Sequence, residues 1–271
     1  MSIPIAVTIA GSDSSGGAGI QADLKTFAAL NVYGASVITA LTAQNTREVR
    51  AIHDPPPSFV LIQLETVFAD LAIRSVKTGM LSQPEVIVTV AEFLRKHATI
   101  PLVVDPVMVS KSEATLLVDE AIDVLKRQLI PLATVITPNI PEAAILLDTT
   151  VDDIERRRGT VCQQLFELGS KAVVLKGGHG EGPLSEDLFY DGQSVTSLPA
   201  PRITTTNTHG TGCTFASAIA AHLAYGKPPL PAVRGAKEYI TGAIAAAQAL
   251  KVGHGHGPVQ HFFQQERRSS Y

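Results

Sequence analysis

The chain has 271 residues, of which 45% are hydrophobic, and this is enough apolar material for the core of a single α/β domain covering residues 1–271. Its formal net charge of −3 and sequence pI of about 6.2 exclude a strong positive field, so we expect neither a nucleic-acid partner nor binding to an anionic membrane. The two cysteines, Cys162 and Cys213, exclude a disulfide framework and favour a reducing, cytoplasmic setting.

The first residues do not have the pattern of a signal peptide. No basic segment precedes the apolar run, and Gly11, Ser12 and Asp13 interrupt it. No apolar run elsewhere approaches the length needed to cross a membrane, so no membrane partner is expected.

Short β-branched runs alternate with longer runs of helical spacing along the chain. The pattern predicts strands over residues 5–10, 36–41, 75–78, 102–105, 135–137 and 172–176. It predicts helices around Leu24, Phe27 and Leu30, after Pro55-Pro56-Pro57, and over residues 85–97, 116–129 and 154–168. Alternation of this kind implies βαβ units and an α/β fold, with a mostly parallel central sheet that helices cover on both faces.

The alternation breaks after residue 176. Residues 188–198, with Asp191-Gly192 between two β-like runs, predict an antiparallel hairpin on a primed turn at an edge of the sheet. Two alanine-rich helices are predicted over residues 211–225 and 232–250. The polar tail over residues 264–271 is expected to fray.

Between the hairpin and these helices, residues 207–217 read NTHGTGCTFAS. Glycines ahead of a helix let a ligand approach bare backbone N–H groups, and the first helical turn leaves several such donors unpaired at its positive end. The segment therefore predicts an anion-binding site, with phosphate as the usual anion. An ordinary helix cap with a flexible approach is the alternative that these residues alone leave open.

Polar residues follow the predicted strands, and ligands of open parallel sheets bind at the carboxyl ends of the strands. Loops after different strands would deliver a carboxylate, a carboxamide, an ammonium group and glycine-lined backbone to one edge, which favours phosphoryl transfer. The residues concerned are Gly11-Ser12-Asp13, Gln44-Asn45, Gly79-Met80, Asp105-Pro106, Pro138-Asn139 and Lys176-Gly177-Gly178-His179.

Two other motifs lack the residues that would support them. Gly17 to Ala22 fits the loose dinucleotide pattern GxGxxA, yet the predicted second strand leads into Gln44 where an acidic ribose ligand is needed. No phosphate loop of the form GxxxxGK[ST] occurs. His254 and His256 have no Cys or acidic cluster near them in sequence, so we expect a buried turn there and not a metal site.

Eight ordered segments resemble the hydroxymethylpyrimidine/phosphomethylpyrimidine kinases of thiamine biosynthesis, from Ile5 to Phe263. The segments are AGSDSSGGAGIQADLKTF, ITALTAQNT, KTGML, DPVM, TPNIPEA, VLKGGH, NTHGTGCT and VGHGHGPV. The resemblance implies a three-layer α/β/α ribokinase-like fold with an antiparallel edge hairpin, and a cytoplasmic homodimer. It also implies a kinase that uses ATP and Mg²⁺ to phosphorylate 4-amino-5-hydroxymethyl-2-methylpyrimidine, a small-molecule substrate, and then its monophosphate to the diphosphate.

The catalytic residues implied by this resemblance lie at the phosphate end of the site, and they are Gly210, Thr211, Gly212, Cys213 and Lys176. The backbone donors would stabilise charge on the transferred phosphoryl group. Lys176 would neutralise ATP phosphates, with a structural salt bridge as its alternative. Thr206, Asn207 and Gly210 would contact the nucleotide. The alternative for Thr206 and Asn207 is that they only form the approach to the anion hole.

Three residues are expected to serve the metal. Asp105 is the natural Mg²⁺ contact, because magnesium prefers hard oxygen ligands and retains most of its water. Asn139 and Glu142, in NIPE, resemble the family's NxxE motif, which helps hold the metal and its water. A helix cap with an acid in the first turn explains the same two residues equally well.

Gln44 is the expected reader of the acceptor, because its carboxamide offers a donor and an acceptor to the amino group and ring nitrogen of an aminopyrimidine. The rest of the pocket would be small and largely apolar, formed by Gly11, Ala18, Asp23, Met80 and Val107. Asp23 would be its second polar anchor, unless it is only an acid in the first turn of a helix.

Most ribokinase relatives have Asp as the base at the end of the Gly-x-Gly motif, whereas this chain has Cys213. At a helix start the thiol pKa is expected to fall, so a Cys213 thiolate would accept the hydroxymethyl proton; a residue chosen for its small size is the alternative. A branch of pyridoxal kinases shares this cysteine, so pyridoxine or pyridoxal phosphorylation is the second candidate function, against which Gln44 argues. A silent binding protein is disfavoured because Lys176, Asp105 and the anion-hole residues are all present.

Overall fold

The computed structural model describes residues 3–108, 119–178 and 182–266, and the strands within them form one sheet. They are β1 (Ile5–Asp13), β2 (Tyr33–Gln44), β3 (Val49–His53), β4 (Ile73–Thr78), β5 (Leu102–Val104), β6 (Val135–Ile136), β7 (Val173–Leu175), β8 (Leu184–Tyr190) and β9 (Val195–Pro201). The order is β3-β2-β1-β4-β5-β6-β7-β8-β9. Strands β2, β1 and β4 to β7 pair in parallel, whereas β3, β8 and β9 pair antiparallel.

Helices cover both faces of this sheet. On one face lie α1 (Gly19–Ala29), α8 (Thr211–Ala224) and α9 (Pro229–Ala246); on the other lie α2 (Pro57–Asp70), α3 (Pro84–Arg95), α4 (Asp119–Val124), α5 (Ile140–Leu146), α6 (Val151–Arg156) and α7 (Arg158–Phe166). A short α10 (Phe263–Glu266) follows. Val103 and Val104 enter opposite cores, as successive side chains of a strand must. The three-layer α/β/α expectation is confirmed. Among the helices described, none is long and apolar enough to cross a membrane.

The helices differ from the prediction in three places. Residues 116–118 of the predicted helix over 116–129 lie outside the described residues; the remainder is α4 followed by a π turn, Leu125–Leu129. The predicted helix over 154–168 is two helices, because Arg157 leaves helical geometry at φ −125° and ψ 29°. Of the tail expected to fray, residues 264–266 belong to α10 and residues 267–271 lie outside the described part.

Strand β3 was not predicted, and it makes a second antiparallel edge. Its sequence, VRAIH, lacks a regular apolar alternation, because the strand is mostly exposed. The turn before it depends on Asn45, whose Oδ1 accepts hydrogen bonds from the backbone N–H groups of Arg47 and Glu48. A side chain that caps its own turn is a local signal for the hairpin that joins β2 to β3.

The predicted hairpin at the other edge is confirmed, but its turn is not a primed two-residue turn. Tyr190 pairs with Val195, which leaves a four-residue loop. Asp191 Oδ1 accepts hydrogen bonds from the N–H groups of Gln193 and Ser194, and Gly192 has φ +88°. The aspartate therefore builds the loop through its side chain.

The carboxyl ends of the parallel strands meet at one edge of the sheet, as expected. The polar residues predicted at the strand ends lie at or just after the ends of β1, β2, β4, β5, β6 and β7. One of them, His179, lies outside the described residues. Strand β1 is longer than predicted, since it continues through Gly11 to Asp13 after a register shift against β2 at Ala10. That extension brings Asp13 to the same edge.

A buried ion pair joins four elements beneath this edge. Lys77 Nζ in β4 lies 3.0 and 2.9 Å from the two carboxylate oxygens of Asp23 in α1. Asp23 also accepts hydrogen bonds from Thr8 in β1 and Ser217 in α8, both at 2.6 Å. Burial by itself lowers the pKa of Lys77, but the Asp23 carboxylate outweighs this and the pKa is raised above its usual value. Lys77 is thus charged, and both side chains of the pair are fully buried.

We expect Lys77→Met to lower the free energy of unfolding by about 3–5 kcal/mol, because it leaves the Asp23 carboxylate buried without a counter-charge. Urea denaturation followed by circular dichroism measures this. Adding Asp23→Asn to the same chain should recover part of the loss. Lys96→Met, at an exposed lysine, is the control and should change stability by less than about 0.5 kcal/mol. A Lys77→Met variant as stable as this control would refute the assigned role.

Candidate functional site

The start of α8 is shaped by a contact that only glycine permits. Gly210 caps the helix with φ +77°, and a Cβ on it would stand 1.9 Å from the carbonyl oxygen of Gly17. Helix α8 has no side-chain cap at this position. The Thr211 N–H donates to the Thr208 carbonyl at 3.3 Å, and the next N–H groups of the helix, those of Gly212 and Cys213, carry the partial positive charge that suits an anion.

Lys176 and Asp105 lie directly beside this helix start. Lys176 Nζ is 3.0 Å from Asp105 Oδ1, which also accepts a hydrogen bond of 2.9 Å from Thr137. A Cβ on Gly212 would stand 3.5 Å from Lys176 Nζ and 3.7 Å from Asp105 Oδ2. The ammonium, the carboxylate and the backbone of α8 thus surround one small space. Lys176 makes the salt bridge that was its alternative role, yet 16% of its side chain remains exposed.

The charges at this end are set by burial and by one another. Burial raises the pKa of Asp105, but Lys176 and Lys77 outweigh it and hold that pKa below its usual value. Burial lowers the pKa of Lys176, and the carboxylates of Asp105 and Glu142 raise it above normal. Burial, with a further contribution from Asp105, raises the pKa of Glu142 to about 7. At neutral pH Asp105 and Lys176 are ionised and Glu142 titrates.

Asn139 and Glu142 form the capping box of α5. Asn139 Oδ1 accepts from the Glu142 N–H, and Glu142 Oε2 accepts from the Asn139 N–H, both at 2.8 Å. The helix-cap alternative from the sequence is thus realised. Glu142 Oε2 also lies 3.8 Å from Lys176 Nζ, so the box adjoins the phosphate end of the site.

The opposite end of the site is a cluster of Asp13, His209 and Gln44. His209 Nε2 is 2.8 Å from Asp13 Oδ2 and 3.4 Å from Gln44 Nε2. Asp13 also accepts hydrogen bonds from the N–H groups of Gly17 and Ala18. Burial raises the pKa of Asp13, but hydrogen bonds from His209, Ser15 and Ala18, that of His209 first among them, lower it to about 2. Asp13 is therefore ionised and holds the loop before α1.

The expected apolar slot is partly assembled around Gly11. A Cβ on Gly11 would touch Met80 Sδ at 3.5 Å. Ala18 is the N-cap residue of α1, and the Val107 N–H bonds to the Asp105 carbonyl at 2.9 Å, so both adjoin the same edge. Met80, Val107 and Ala18 are half-buried.

The structure does not support Asp23 as a substrate anchor. Its side chain is fully buried, and each carboxylate oxygen already has two donors: Lys77 contacts both, Ser217 the first and Thr8 the second. Asp23 is also not an acid of the first turn, because it is the fifth residue of α1. Its contacts make it a structural residue beneath the site.

The lowered pKa expected for the Cys213 thiol is wrong. Burial raises the pKa to about 11; Lys77 opposes the rise, whereas Asp23 and Asp105 add to it. The helix start that would favour a thiolate is outweighed chiefly by burial of the thiol, to which the two nearby carboxylates add. The thiol is protonated at neutral pH, so no preformed thiolate base is available in the free protein.

A cavity of about 840 Å³ opens beside the helix start, lined by Thr204, Thr205, Thr206, Asn207, Gln248, Leu250, Lys251, Val252, Gly253, His254 and Gly255. Asn207 supports its wall, since its Nδ2 donates to the carbonyl groups of Ala247 and Leu250 at 2.6 and 3.0 Å. Thr206 is exposed within it. The buried turn expected at residues 254–256 is wrong, because His254 and His256 are exposed.

Sequence reasoning assigned no role to Lys77, Thr137 or His209, and named Asp13 only as part of a polar run. Lys77, Asp13 and His209 lie inside segments that resemble the family, KTGML, AGSD and NTHGTGC. A lysine within an apolar strand was the available signal for Lys77. Nothing local pointed to the pairing of Asp13 with His209, whose positions differ by 196 residues.

The chain is similar to known kinases along nearly its whole length. The family model described as phosphomethylpyrimidine kinase matches residues 13–260. The hydroxymethylpyrimidine/phosphomethylpyrimidine kinase of Rhizobium meliloti is 51% identical, over 95% of this chain and 97% of that protein. A phosphomethylpyrimidine kinase structure from Clostridium difficile has TM-score 0.77 and 46% identity, covering 90% of this chain and 100% of that one. The pyridoxal kinase of Staphylococcus aureus, solved with AMP-PCP and pyridoxal, has TM-score 0.86 and 34% identity, covering 97% and 95%.

We expect iodoacetamide to alkylate Cys213 slowly at neutral pH, with a rate that rises about tenfold per pH unit up to roughly pH 10, because only the thiolate reacts. Peptide mass spectrometry distinguishes Cys213 from Cys162, whose pKa burial raises to about 12. Free N-acetylcysteine is the reference, since its rate levels off near its ordinary pKa of about 8.5. If the alkylation rate of Cys213 stopped rising below about pH 8, the raised pKa would be wrong and the role of Cys213 as a thiolate base would be supported.

Proposed function

The chain belongs to the phosphomethylpyrimidine kinase family, and from this premise we propose that it transfers a phosphoryl group from ATP to 4-amino-5-hydroxymethyl-2-methylpyrimidine. The resulting monophosphate would then receive a second phosphoryl group, which gives the diphosphate used in thiamine biosynthesis. One observation carries the proposal. The four residues from His209 to Gly212 adjoin Gln44 at one end and the Lys176–Asp105 pair at the other. A single short segment therefore aligns acceptor and phosphate groups, which is most of what phosphoryl transfer requires.

At the phosphate end, the backbone N–H groups of Gly212 and Cys213 would bind the transferred group, while that of Thr211 donates to the Thr208 carbonyl. They point from the positive end of α8, so they stabilise the charge that spreads over the phosphoryl oxygens. Lys176 adds a full positive charge at the same place, and Asp105 holds its ammonium in position. Because the Cys213 thiol is protonated, catalysis rests on these donors and on alignment of the two substrates.

The residues at this end fit Mg²⁺. Both described hydrogen bonds of Asp105 go to Oδ1, while Oδ2 faces Gly212. Within residues 3–108, 119–178 and 182–266, no three or more His, Cys, Asp or Glu side chains are grouped to hold a metal. Magnesium suits such a place, since it takes one or two carboxylates and completes its shell with phosphates and water. We propose Asp105 as its ligand, with Glu142 and Asn139 beside it, and Mg²⁺ would neutralise phosphate charge.

The nucleotide would occupy the cavity beside α8. Its volume of about 840 Å³ is ample for a nucleotide, and Thr206 lines it while Asn207 supports its wall. The Staphylococcus aureus relative holds the ATP analogue AMP-PCP, which supports ATP as the donor.

We propose that the protein acts as a homodimer in the cytoplasm, with residues 1–271 as one domain. Four large apolar side chains are exposed on the neighbouring elements β2, β3 and α2, namely Leu41, Ile52, Phe59 and Ile62. Exposed apolar side chains on adjoining elements offer a surface for self-association, which light scattering of the purified protein tests. Cytoplasmic location is supported by the free thiols Cys162 and Cys213.

The acceptor is tested with a substrate panel of hydroxymethylpyrimidine, its monophosphate, pyridoxine and pyridoxal, each with ATP and Mg²⁺. Phosphorylation of pyridoxal is the alternative, because a pyridoxal kinase shares the fold. The chain is 51% identical to a pyrimidine kinase and 34% identical to that pyridoxal kinase, and this difference favours the pyrimidine. We expect kcat/KM to be highest for the pyrimidine substrates. Preference for the B6 vitamers would overturn the proposal.

In the same panel, we expect Gln44→Met to reduce the preference for hydroxymethylpyrimidine over pyridoxal. A carboxamide that reads a polar edge penalises a ligand that leaves it unpaired by about 1–3 kcal/mol, so the preference should fall roughly 5- to 150-fold. The ratio of the two kcat/KM values is the measurement. An unchanged ratio would show that Gln44 does not read the acceptor.

For Lys176→Ala we expect kcat/KM for ATP to fall by about 100-fold or more, because a charge facing the phosphates is removed. The KM for hydroxymethylpyrimidine should change less than about threefold. Lys171→Ala, at an exposed lysine just before β7, is the matched control. If ATP kinetics were the same in both variants, Lys176 would lie outside the phosphate site.

A further inference from the structure

His209 contacts groups from both walls of the acceptor end, and no step of the reaction described above uses it. Its Nε2 lies 2.8 Å from Asp13 Oδ2 and 3.4 Å from Gln44 Nε2. Only 12% of the His209 side chain is exposed. Such a placement suits a residue that orients its neighbours.

The tautomer of His209 follows from its contact with Asp13. The Asp13 carboxylate is ionised, because its pKa lies at about 2. A ring nitrogen at 2.8 Å from that carboxylate must carry a hydrogen, since a lone pair there would be repelled. Nε2 therefore donates its one hydrogen to Asp13 and has no lone pair with which to accept from Gln44.

The carboxamide of Gln44 is constrained on its other side by Thr42. Thr42 Oγ1 lies 2.9 Å from the Ser12 carbonyl oxygen and 3.2 Å from Gln44 Oε1. A hydroxyl has one hydrogen, and the contact with the carbonyl takes it. Thr42 then offers only lone pairs to Gln44.

These two neighbours select one orientation of the amide. If Gln44 Oε1 faces Thr42 Oγ1, two hydrogen-bond acceptors meet. If Gln44 Nε2 faces His209 Nε2, two donors meet. A half-turn of the planar carboxamide exchanges oxygen and nitrogen, so that Gln44 Oε1 becomes a second, longer-range acceptor of the His209 N–H shared with Asp13, and Gln44 Nε2 donates to Thr42. Each of the four groups then meets its complement.

From these contacts we infer that His209, anchored by Asp13, is a specificity-determining positioning residue that holds the Gln44 carboxamide in one orientation for the acceptor. The remaining N–H and lone pair of Gln44 then face the ligand in a fixed order. That order matches the ring nitrogen and amino group along one edge of an aminopyrimidine, whereas an amide free to turn would fit other edges as well. The inference rests on the proposed function, in which Gln44 reads the acceptor.

The anchor itself is rigid. Asp13 accepts hydrogen bonds from Ser15, Gly17 and Ala18, so its carboxylate cannot follow the histidine ring. The ring lies so close to Gly17 that a Cβ there would stand 2.3 Å from its Cδ2. The backbone N–H of His209 donates to the Gly257 carbonyl at 2.9 Å. The imidazole therefore has a fixed position from which to orient Gln44.

The test uses His209→Met, His209→Gln, Gln44→Met and the double variant Gln44→Met/His209→Met. We measure kcat/KM for hydroxymethylpyrimidine and for pyridoxal, and KM for ATP. His209→Met removes the N–H, and we expect the pyrimidine preference to fall about tenfold, through KM for the pyrimidine, with KM for ATP changed less than about twofold. His209→Gln keeps an N–H within reach and should restore most of the preference.

The double variant separates positioning from an independent contact. If His209 acts through Gln44, His209→Met should change the preference less than about twofold once Gln44 is already Met. His97→Met, at a half-buried histidine that packs between Phe68 and Phe93, is the matched control and should leave the preference unchanged. Thermal unfolding checks that each variant is folded, and Asp13→Asn replaces His209→Met if the latter is not.

The outcomes are distinguishable. If Gln44→Met keeps the wild-type preference, the proposed reader of the acceptor is wrong and the inference falls with it. If Gln44→Met loses the preference but His209→Met retains it, Gln44 is the reader and the inference alone is overturned. Independent, multiplying effects in the double variant, or no recovery in His209→Gln, would also overturn it.

Discussion

At the start of α8 the backbone of Gly210 lies directly against the backbone of Gly17. A Cβ on Gly210 would stand 1.9 Å from the Gly17 carbonyl oxygen, so the start of α8 is pressed against the loop before α1 without any intervening side chain. This contact sets both ends of the site. It places His209 beside Asp13 and Gln44 on one side, and Gly212 beside Lys176 and the nearby carboxylate on the other.

Two lysines near α8 differ in what surrounds them, and this difference divides their roles. Lys77 is fully buried and neutralised by Asp23, so it stabilises the junction of β4, β1, α1 and α8. Lys176 is paired with Asp105 but partly exposed, so its charge can act on a ligand. Burial, with a further contribution from the two carboxylates that hold these lysines, raises the pKa of the Cys213 thiol to about 11. The sulfur therefore does not neutralise the positive charge at the helix start as a thiolate.

The acceptor end explains how closely related kinases can differ in substrate. Overall shape does not distinguish them, since a pyridoxal kinase superposes with TM-score 0.86 and a phosphomethylpyrimidine kinase with 0.77. A pocket discriminates between flat heterocycles of similar size through the order of its donors and acceptors. In the proposed function that order is held by Gln44 and its polar neighbours, and selectivity would then depend on hydrogen-bond polarity more than on shape.

The sequence by itself was sufficient for the alternation of strands and helices, the covered sheet, the helix start at residues 210–213 and the polar residues at the strand ends. Each of these follows from short-range periodicity or from a glycine in a turn, which adjacent residues specify. Tertiary structure alone decided the exposed strand β3, the break at Arg157, the protonated Cys213 and the structural role of Asp23. It also decided the pairing of Asp13 with His209, across 196 residues, and of Lys77 with Asp23, across 54. The physical reason is that a pKa or a hydrogen-bond partner depends on burial and on charges that the fold brings together, and neither is encoded by neighbours along the chain.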